Sequence, residues 1–403
     1  MTAMLSKERN VDPVIIIGAG LSGLACAATL KKNDIPYLII EKSNQVGGRV
    51  QTSVTNEGYR LDHGFQVLLT SYPELKNFID LKKLNLKLFN SGSLIFLKKT
   101  RLLANPLLHP SRFFTELFSD LISFKDKLLV LKLVLLSWLP SSHKKLKQIS
   151  TIQFLNGFGF SQNFINIFWR PFLKGVFLDP NLSIGADFFV FLIKGFSQGR
   201  VAVPALGMQQ IPLQMANGID FKNIRLNTLV QTLASDHVFL DNGEKIKARN
   251  VVVAFNPNPD GRDYFSVQNF YFTTSEKIDW GSWLLLVPQN SDFTISTIAV
   301  MNHVSADYGI KPTEHLLSTS VVSDKPIQLE KLAAELRLIS GLPLLDLKFI
   351  EKFEILKALP KMSGFEELGF KFNEGIYFCG DWAVSPSING ALKSGRLIAE
   401  AIS

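Results

Sequence analysis

The sequence predicts an α/β fold, in which a domain built on a parallel sheet is interleaved with a second domain of α+β type. Three observations predict this fold: a β-branched strand with a glycine-rich turn near the N-terminus, a strand, turn and helix near the C-terminus, and an aromatic-rich stretch between them. A chain of 403 residues is long enough for two domains with substantial cores.

The first predicted element is a strand from Val14 to Ile17, because an unbroken β-branched run is typical of a strand buried in a parallel sheet. Three glycines follow at the spacing G-x-G-x-x-G, namely Gly18, Gly20 and Gly23. The first permits a tight turn, the second lets backbone approach a pyrophosphate, and the third lets a helix pack closely on the strand. That helix is predicted over Leu24 to Lys32. Leu21 and Ser22 lie just before it, where free N–H groups would bind the pyrophosphate.

The second predicted strand, Pro36 to Ile40, ends in Glu41, which lies 18 residues after Gly23. At this spacing a carboxylate accepts hydrogen bonds from the ribose hydroxyls of a dinucleotide. Its charge would repel a 2′-phosphate, which disfavours NADP. Glu41 and the adjacent Lys42 are therefore candidate cofactor contacts, with an ordinary acidic strand end as the alternative.

A second glycine turn, Val46 to Val50, favours FAD over NAD. Gly47 and Gly48 would bring backbone near the cofactor a second time, and Arg49 would donate charge-assisted hydrogen bonds to phosphate or flavin oxygens. A site for NAD alone has no need of this turn.

The C-terminal region supplies the third motif. A strand and an acidic turn are predicted from Gly375 to Asp381, followed by a helix that begins near Ser387 or Asn389. Together with Glu41-x5-Gly47-Gly48-Arg49, this pattern resembles the superfamily of FAD-dependent amine oxidases and phytoene desaturases. It is more similar to the bacterial carotenoid-desaturase-like and protoporphyrinogen-oxidase-like branch than to the monoamine oxidases. The resemblance implies an FAD-dependent oxidoreductase with a Rossmann-like, glutathione-reductase-like FAD-binding domain.

The resemblance also implies non-covalent FAD and assigns its contacts. Glu41 would hold the ribose, Arg49 would lie beside the pyrophosphate, and Asp381 would bind the phosphate or ribityl region. The backbone of Val230 would reach the adenine. The helix start at Asn389, Gly390 and Ala391 would face the pyrimidine end of the flavin. The same motifs supply the other expected contacts, which are Gly18, Gly20, Leu21, Ser22, Lys42, Gly48 and Gly380.

The resemblance further implies how the domains interleave. Pro204 to Met208 is similar to the family's P-x-x-G-M entry into a helix that returns to the cofactor domain. Short strands are predicted at 224–229, 238–240 and 250–254, with a hairpin turn at Asp241-Asn242-Gly243. The FAD-binding domain is thus predicted over 1–70, 205–257 and 355–403. The substrate domain, with an antiparallel sheet and a helical part, is predicted over 71–204 and 258–354.

Residues 154–196 contain twelve aromatic side chains, eleven Phe and one Trp. This density suits a wide apolar cavity, because pockets for larger ligands are lined mainly by hydrophobic and aromatic groups. An aromatic-rich helical core is the alternative. Taken as a group, the stretch favours an apolar or amphipathic small-molecule substrate.

Catalysis in such enzymes belongs mainly to the cofactor, and no catalytic side chain is assigned. His63, Gln66 and Lys393 are the candidates. Asp62 and His63 do not form a catalytic pair, because adjacent residues of a strand point to opposite faces. Amine oxidases of the superfamily commonly carry a lysine in the substrate-domain sheet. The corresponding region here offers only Lys277, in a polar turn, and this departure disfavours amines.

Three functions remain open. The first is desaturase-like dehydrogenation of an apolar or amphipathic substrate, with a hydride passing to flavin N5. The second is oxidation of amines or amino acids with release of peroxide, and the third is a redox-neutral flavoprotein such as a polyene isomerase. The sequence does not identify the electron acceptor.

Composition excludes several other classes. Cys26 and Cys379 both lie in apolar sequence, which predicts buried thiols and no disulfide, and the six histidines show no metal-ligand spacing. The net charge of +8 is spread along the chain without a nucleic-acid-binding module. We therefore expect neither a metal nor a nucleic-acid partner.

No apolar signal region precedes the first strand, which predicts a cytoplasmic protein. One segment, Phe124 to Leu139, suits peripheral contact with an anionic membrane, since it is apolar, too short to span a bilayer and surrounded by lysines. The alternative is a helix buried against the Phe-rich stretch. Apolar residues lie nearly all round this segment, which favours the buried helix. The surrounding lysines are Lys125, Lys127, Lys132, Lys144, Lys145 and Lys147.

Overall fold

The computed structural model describes residues 12–105, 109, 119–139, 146–257, 264–288, 292–309, 311–366 and 369–403. Two large sheets and a group of helices form the fold, and the predicted α/β class is confirmed. Lys144 and Lys145 lie outside the described residues.

A six-stranded sheet ends at the glycine-rich turn. Val14–Ile17 pairs in parallel with Tyr37–Ile40 on one side and with Asn250–Val253 on the other, and all four of its residues are buried. Because both faces are covered, this strand is wholly apolar, as predicted. The strand order is Ile224–Arg225, Tyr37–Ile40, Val14–Ile17, Asn250–Val253, Ile376–Phe378 and Lys371–Asn373, with the last pair antiparallel.

Two long helices, Leu21–Lys32 and Ile388–Ile402, pack against each other and against this sheet. Their contact depends on glycine. A Cβ atom on Gly23 would lie 2.0 Å from the Gly18 carbonyl oxygen, and one on Gly395 would lie 2.0 Å from the Ser22 carbonyl oxygen. The backbones of the turn and of both helices therefore touch directly.

An antiparallel layer of three strands, Val230–Leu233, His237–Leu240 and Lys245–Lys247, covers the other face of the sheet. The hairpin turn predicted at 241–243 is confirmed, with Gly243 at φ 86°. The strand predicted over 224–229 is wrong beyond Arg225. The chain turns there because Asn227 adopts the left-handed region at φ 51°, and Thr228 N then donates to the Glu41 carbonyl.

A seven-stranded sheet forms the second large layer and is antiparallel except for one parallel pair, Leu284–Leu286 with Gly92–Phe96. Its longest strand, Lys348–Pro360, stays paired with Tyr264–Thr274 as far as Pro360, so it runs across the predicted domain boundary at 354/355. The division into two domains stays a prediction. The strand order is Lys348–Pro360, Tyr264–Thr274, His315–Val321, Thr297–Val300, Leu284–Leu286, Gly92–Phe96 and Thr100–Ala104.

A group of helices, rich in aromatic side chains, packs around a core of its own. Rings such as Phe160, Phe164 and Trp169 contact one another at centroid distances of 5.5 to 5.8 Å. The helices are Phe124–Ser137, Thr151–Phe158, Gln162–Phe164, Arg170–Phe177 and Ala186–Gln198, with a π-helical turn at Ile165–Trp169. Among the described residues, no helix is both long and apolar enough to cross a membrane.

Short elements connect these layers. The strands are Thr52–Val54 with Arg60–Asp62, and Leu68–Leu69 with Val201–Pro204 and Leu86–Leu88. The helices are Leu75–Phe78, Gln210–Gly218, Met301–Val304 and Leu329–Ser340, and 3-10 turns lie at Phe221–Asn223, Ala306–Tyr308 and Asp381–Ala383.

Asp62 joins the two large layers. Its carboxylate is 1% exposed and accepts hydrogen bonds from Thr52 Oγ1 at 2.5 Å, Met208 N at 2.9 Å and Tyr308 OH at 2.6 Å. Its carbonyl accepts from Tyr271 OH, on the seven-stranded sheet, at 3.0 Å. The P-x-x-G-M motif thus delivers Met208 N to this carboxylate. Burial raises the pKa of Asp62 to about 6, although its hydrogen bonds oppose the shift.

We expect this pKa to make the folded state less stable as the pH rises from about 4 to about 6. The pKa of an aspartate in the unfolded chain is near 4, so between pH 4 and pH 6 the folded state binds a proton that the unfolded state has released. The free energy of unfolding therefore decreases as the pH rises through this range. The stability difference between the wild type and Asp62→Asn should fall by about 3 kcal/mol over that window. Urea unfolding at saturating FAD measures this. The exposed Asp241→Asn variant is the control, and an equal pH slope in wild type and Asp62→Asn would contradict the assignment.

Candidate functional site

One continuous cavity of about 1680 Å³ lies at the carboxyl ends of the parallel strands and extends to the aromatic helices. Sites for single drug-sized ligands usually measure about 300–1,000 Å³. The cavity is therefore large enough to hold a dinucleotide and a second molecule.

The two glycine turns meet at one end of this cavity. Gly47 N donates to the Ala19 carbonyl at 2.9 Å, and a Cβ atom on Gly48 would lie 3.2 Å from Gly20 Cα. On Gly20, by contrast, a Cβ atom would meet only Gly48 Cα, at 3.9 Å. The open side of Gly20 belongs to the cavity, as the predicted close approach of a pyrophosphate requires.

The N-terminus of the helix Leu21–Lys32 also fits a pyrophosphate. It begins three residues earlier than predicted, and its N-cap, Gly20, has no side chain to bond the first N–H groups. No acidic residue lies in the first turn. Leu21 and Ser22 line the cavity, so uncapped donors and the positive end of the helix dipole meet the space beside Gly20.

Glu41 lies at the end of the second strand, only 8% exposed, and lines the cavity. Its Oε2 accepts from Ala19 N at 2.7 Å and its Oε1 from Ser43 N at 2.9 Å. Each carboxylate oxygen keeps a further lone pair for ribose hydroxyls. Glu41 thus lies in the cavity beside the first glycine turn, and its contact with a ribose stays a prediction. Lys42 and Val230 also line the cavity.

Arg49 and Asp381 form an ion pair across the cavity wall. Arg49 Nη2 lies 2.6 Å from Asp381 Oδ1, and Arg49 Nη1 donates to the Ala358 carbonyl at 2.8 Å. Asp381 is 4% exposed, whereas the Arg49 side chain is about half-exposed. Both residues line the cavity next to Gly48 and Gly380, so the two cofactor motifs, 332 residues apart in the chain, are brought together.

The C-terminal helix contributes fewer cavity residues than predicted. It begins at Ile388, and Ser387 Oγ already accepts from Gly390 N at 3.0 Å. The Asn389 side chain accepts from Glu74 N at 3.1 Å, and a Cβ atom on Gly390 would lie 2.1 Å from the Ser385 carbonyl oxygen. Neither is among the described residues that line the cavity, whereas Ala391 is.

Lys393 also lies outside the cavity lining. It is near Glu74, which accepts two hydrogen bonds from Arg396, at 2.9 and 2.8 Å. Burial raises the pKa of Glu74, but the hydrogen bonds from Arg396 and Asn77 and the charges of Arg396 and Lys393 outweigh burial and lower it. The charge of Lys393 thus acts on Glu74, which pairs with Arg396.

His63 and Gln66 both line the cavity. The His63 ring stacks on Phe353 at 4.4 Å, its Nε2 lies 2.6 Å from Ser53 Oγ, and burial lowers its pKa, so the ring is neutral near pH 7. Gln66 Nε2 donates to the carbonyls of Arg49 and His63.

The Asp62 side chain points away from the cavity into its own buried hydrogen-bond network, as predicted for a residue adjacent to His63 on a strand. Lys277 is exposed and outside the lining.

Several lining residues were not predicted. Trp382 follows Asp381 directly, and its ring lies 5.0 Å from Lys371 Nζ. Ser43 and Thr228 flank Glu41, where the chain turns back through Asn227. An aromatic residue beside an expected cofactor aspartate was the one signal available for Trp382. Nothing in the sequence pairs Thr228 with Glu41.

The far end of the cavity is apolar on its helical side and carries small hydroxyl groups on its sheet side. The aromatic lining residues from the predicted stretch are Phe164, Phe168, Trp169, Phe172, Phe188 and Phe196. Ser93, Ser296, Thr297 and Ser320 lie on the sheet side. The twelve predicted aromatics are thus divided between cavity wall and core.

A parallel sheet, a glycine turn that leads into a helix without a side-chain cap, a buried glutamate at a strand end and an attached apolar cavity are together typical of FAD-dependent oxidoreductases. Residues 21–282 match the family described as flavin-containing amine oxidoreductases, and the chain belongs to this family. FAD is its cofactor, and the predicted class of enzyme is confirmed.

Individual relatives match over limited segments. Phytoene desaturase of Neurospora crassa is 40% identical over 65 residues, which cover 16% of this chain and 11% of that protein. The mitochondrial protoporphyrinogen oxidase of Nicotiana tabacum is 28% identical over 176 residues, covering 42% and 33%. The matches thus span a third or less of these relatives. A solved putrescine oxidase with bound putrescine, 17% identical, shares the fold with a TM-score of 0.67 over 97% of this chain and 98% of that one.

We expect Gly20→Ala and Gly23→Ala to fail in different ways. The new methyl group at position 20 has room in the protein but fills space beside the helix N-terminus, so the apoprotein should keep its melting temperature and lose flavin. At position 23 the methyl group would collide with the Gly18 carbonyl, so the melting temperature itself should fall. Circular dichroism melting and flavin absorbance measure the two effects. Full flavin occupancy in Gly20→Ala would contradict the pyrophosphate placement.

We expect Glu41→Ala to weaken FAD binding at least tenfold, because hydrogen bonds to a charged group contribute about 1.5–3 kcal/mol. Fluorescence titration of apoprotein with FAD gives the dissociation constant. Glu244→Ala is the matched control, since Glu244 pairs with Arg225 at the surface and does not line the cavity. Equal FAD affinity in both variants would remove Glu41 from the ribose site.

Proposed function

We infer that the protein dehydrogenates an extended apolar or amphipathic substrate. The observation that carries this proposal is that the nucleotide end and the wall of aromatic helices belong to one continuous cavity. When bound, FAD supplies an acceptor for the hydride taken from a substrate C–H bond.

The distribution of charge supports an apolar substrate. Charged lining residues concentrate at the nucleotide end, where Glu41, Lys42, Arg49 and Asp381 lie. Elsewhere the described charged lining residues are Lys127, Glu354 and Lys357. Apolar side chains make up most of the remaining wall, which also contains Asn90, Asn105 and Asn256. Small hydroxyl groups on the sheet side suit one polar group on an otherwise apolar molecule.

The chain's own residues would bind and shield this substrate. Phe168 and Phe172 stack at 5.5 Å and form a rigid apolar wall opposite the sheet. Water excluded by such a wall cannot compete for the reacting carbon. Neutral His63, stacked on Phe353, adds a fixed ring near the second glycine turn and holds no charge near pH 7.

Oxidation of an amine is the second candidate, favoured by the family and by the fold shared with putrescine oxidase. The inner strands of the seven-stranded sheet supply Val267, Thr297 and Ser320 to the cavity, and the one lysine among the described lining residues of this sheet is the exposed Lys357, on the strand Lys348–Pro360. In the region 269–288, where the resemblance leads one to expect the lysine of an amine oxidase, the described lining residue is Leu284, and this favours an apolar substrate over an amine.

Anaerobic mixing of the holoprotein with polyenes, porphyrinogens and amines tests the proposal. We expect bleaching of the flavin's visible absorbance by an apolar polyene and none by amines. Phe172→Asp should slow that bleaching at least tenfold, because it places a charge in the apolar wall, while flavin content stays unchanged. Phe221→Asp, at an exposed turn outside the cavity, is the control.

Two outcomes would overturn the proposal. Bleaching by an amine, with peroxide released in air, would establish the second candidate. Isomerised polyene that forms only with reduced flavin, without net oxidation, would establish a redox-neutral enzyme.

A further inference from the structure

We propose that the helix Phe124–Ser137 docks the protein on an anionic lipid surface and holds one mouth of the cavity against the lipid. The contact would be made by a set of exposed apolar side chains, here called the docking stripe. Its members are Phe124, Leu128, Leu131, Leu135, Trp138 and Leu139.

The docking stripe is a single face of the helix. Phe124, Leu128, Leu131 and Leu135 follow one another at intervals of four and three, which brings them onto one side of the helix. Trp138 and Leu139 continue the row just beyond its C-terminal end. Each member of the docking stripe is between 51% and 62% exposed. Scattered single apolar residues are ordinary on a protein surface, but a contiguous row of six marks an interaction site.

The opposite face of the helix packs against the protein core. The exposed stripe is therefore not the face that holds the helix in the fold. Leu133 is fully buried against the aromatic helices. Asp126, also buried, accepts from Ser161 N at 2.8 Å and Ser161 Oγ at 2.7 Å and bonds the N-cap residue Ser123. The helix therefore packs against the Phe-rich stretch, as the buried alternative expects, but only through the side around Asp126 and Leu133, and its other side is exposed.

The charges beside the stripe favour lipid over a second protein. Within 124–139, all of which the structure describes, the exposed charged residues are Lys125 and Lys132, and the one acid, Asp126, is buried. An apolar face bordered by lysines is typical of helices that lie in a membrane interface. Lysines close to an anionic surface strengthen binding to it. A helix of 14 residues is too short to span a bilayer, so it would lie in the membrane interface.

The same helix forms part of the cavity wall. Leu131, Leu135 and Trp138 line the cavity, whereas Phe124, Leu128 and Leu139 do not and therefore face outward. The stripe thus lies at the rim of the cavity. Its outer members would enter the lipid, and its cavity-lining members, which are also about half exposed, would meet both lipid and substrate at the mouth. Trp138 Nε1 donates to Ser197 Oγ at 2.9 Å, which orients this ring at the rim. An apolar substrate would then enter without crossing water, a step that rests on the proposed function.

Co-sedimentation of the holoprotein with vesicles tests docking directly. We expect binding to phosphatidylcholine vesicles that contain phosphatidylglycerol and weaker binding to pure phosphatidylcholine. The triple variant Phe124→Ser, Leu128→Ser and Leu139→Ser changes only outward residues and should reduce partitioning at least tenfold. The matched control changes three exposed apolar residues elsewhere, as Leu338→Ser, Leu344→Ser and Phe372→Ser, and should bind as the wild type does.

A second set of variants tests the contribution of the lysines to binding of anionic vesicles. Lys125→Gln with Lys132→Gln should lower binding to anionic vesicles several-fold and leave binding to neutral vesicles unchanged. Lys76→Gln with Lys82→Gln, at exposed positions elsewhere, is the control. Flavin content verifies the fold of every variant, and Leu128→Glu repeats the test with one side chain if the triple variant loses flavin.

Three results would overturn docking: no vesicle binding by the wild type, unchanged binding by flavin-loaded stripe variants, or a dimer in sedimentation velocity that the triple variant dissolves. Delivery is tested separately, by flavin reduction with polyene supplied in vesicles or in detergent. We expect the triple variant to be slower only with vesicles. Vesicle binding without reduction by any polyene would refute the proposed function and leave docking intact.

Discussion

Direct backbone contact between the two ends of the chain is the constraint on which the cofactor site depends. The N-terminal helix touches the glycine turn through Gly23, and the C-terminal helix touches the N-terminal one through Gly395, both with no space for a side chain. The second glycine turn then lies against the first through Gly48 and Gly20. Because four backbone segments meet at this point, the dinucleotide end has a fixed shape before any side chain is considered.

Buried polar groups carry this fixed geometry into the rest of the molecule. Asp62 ties the glycine-turn region to the seven-stranded sheet through Tyr271 and Tyr308. Glu74 and Arg396 tie the C-terminal helix to the chain that leads into the helical part. Removing one partner from such a pair leaves the other buried without a hydrogen bond, which costs more than the bond itself contributes. These hydrogen bonds and ion pairs connect the elements around the nucleotide end of the cavity to those around its apolar end.

Local pattern accounts for much of the fold and for part of the site. The strand Val14–Ile17, the glycine spacing and Glu41 were predictable, since each follows from short-range geometry of a strand, a tight turn and a helix start. The strand beyond Arg225 was not, because it ends where Asn227 turns the chain toward Glu41. Asn389, Gly390 and Lys393 lie in the expected helix, yet they face Glu74 and Ser385, and helix position alone does not reveal which side meets the cavity.

The sequence by itself determined the class of this protein, because dinucleotide binding needs glycine and carboxylate at set distances along one chain segment. Only the tertiary structure decided how the aromatic stretch divides between core and cavity, since ring-to-ring packing joins residues from several helices. It also decided that the helix Phe124–Ser137 exposes an apolar face at the rim of the cavity. A helix that is apolar nearly all round gives no local signal of which side is covered. The neighbours that cover it come from distant parts of the chain, and here they cover only one side.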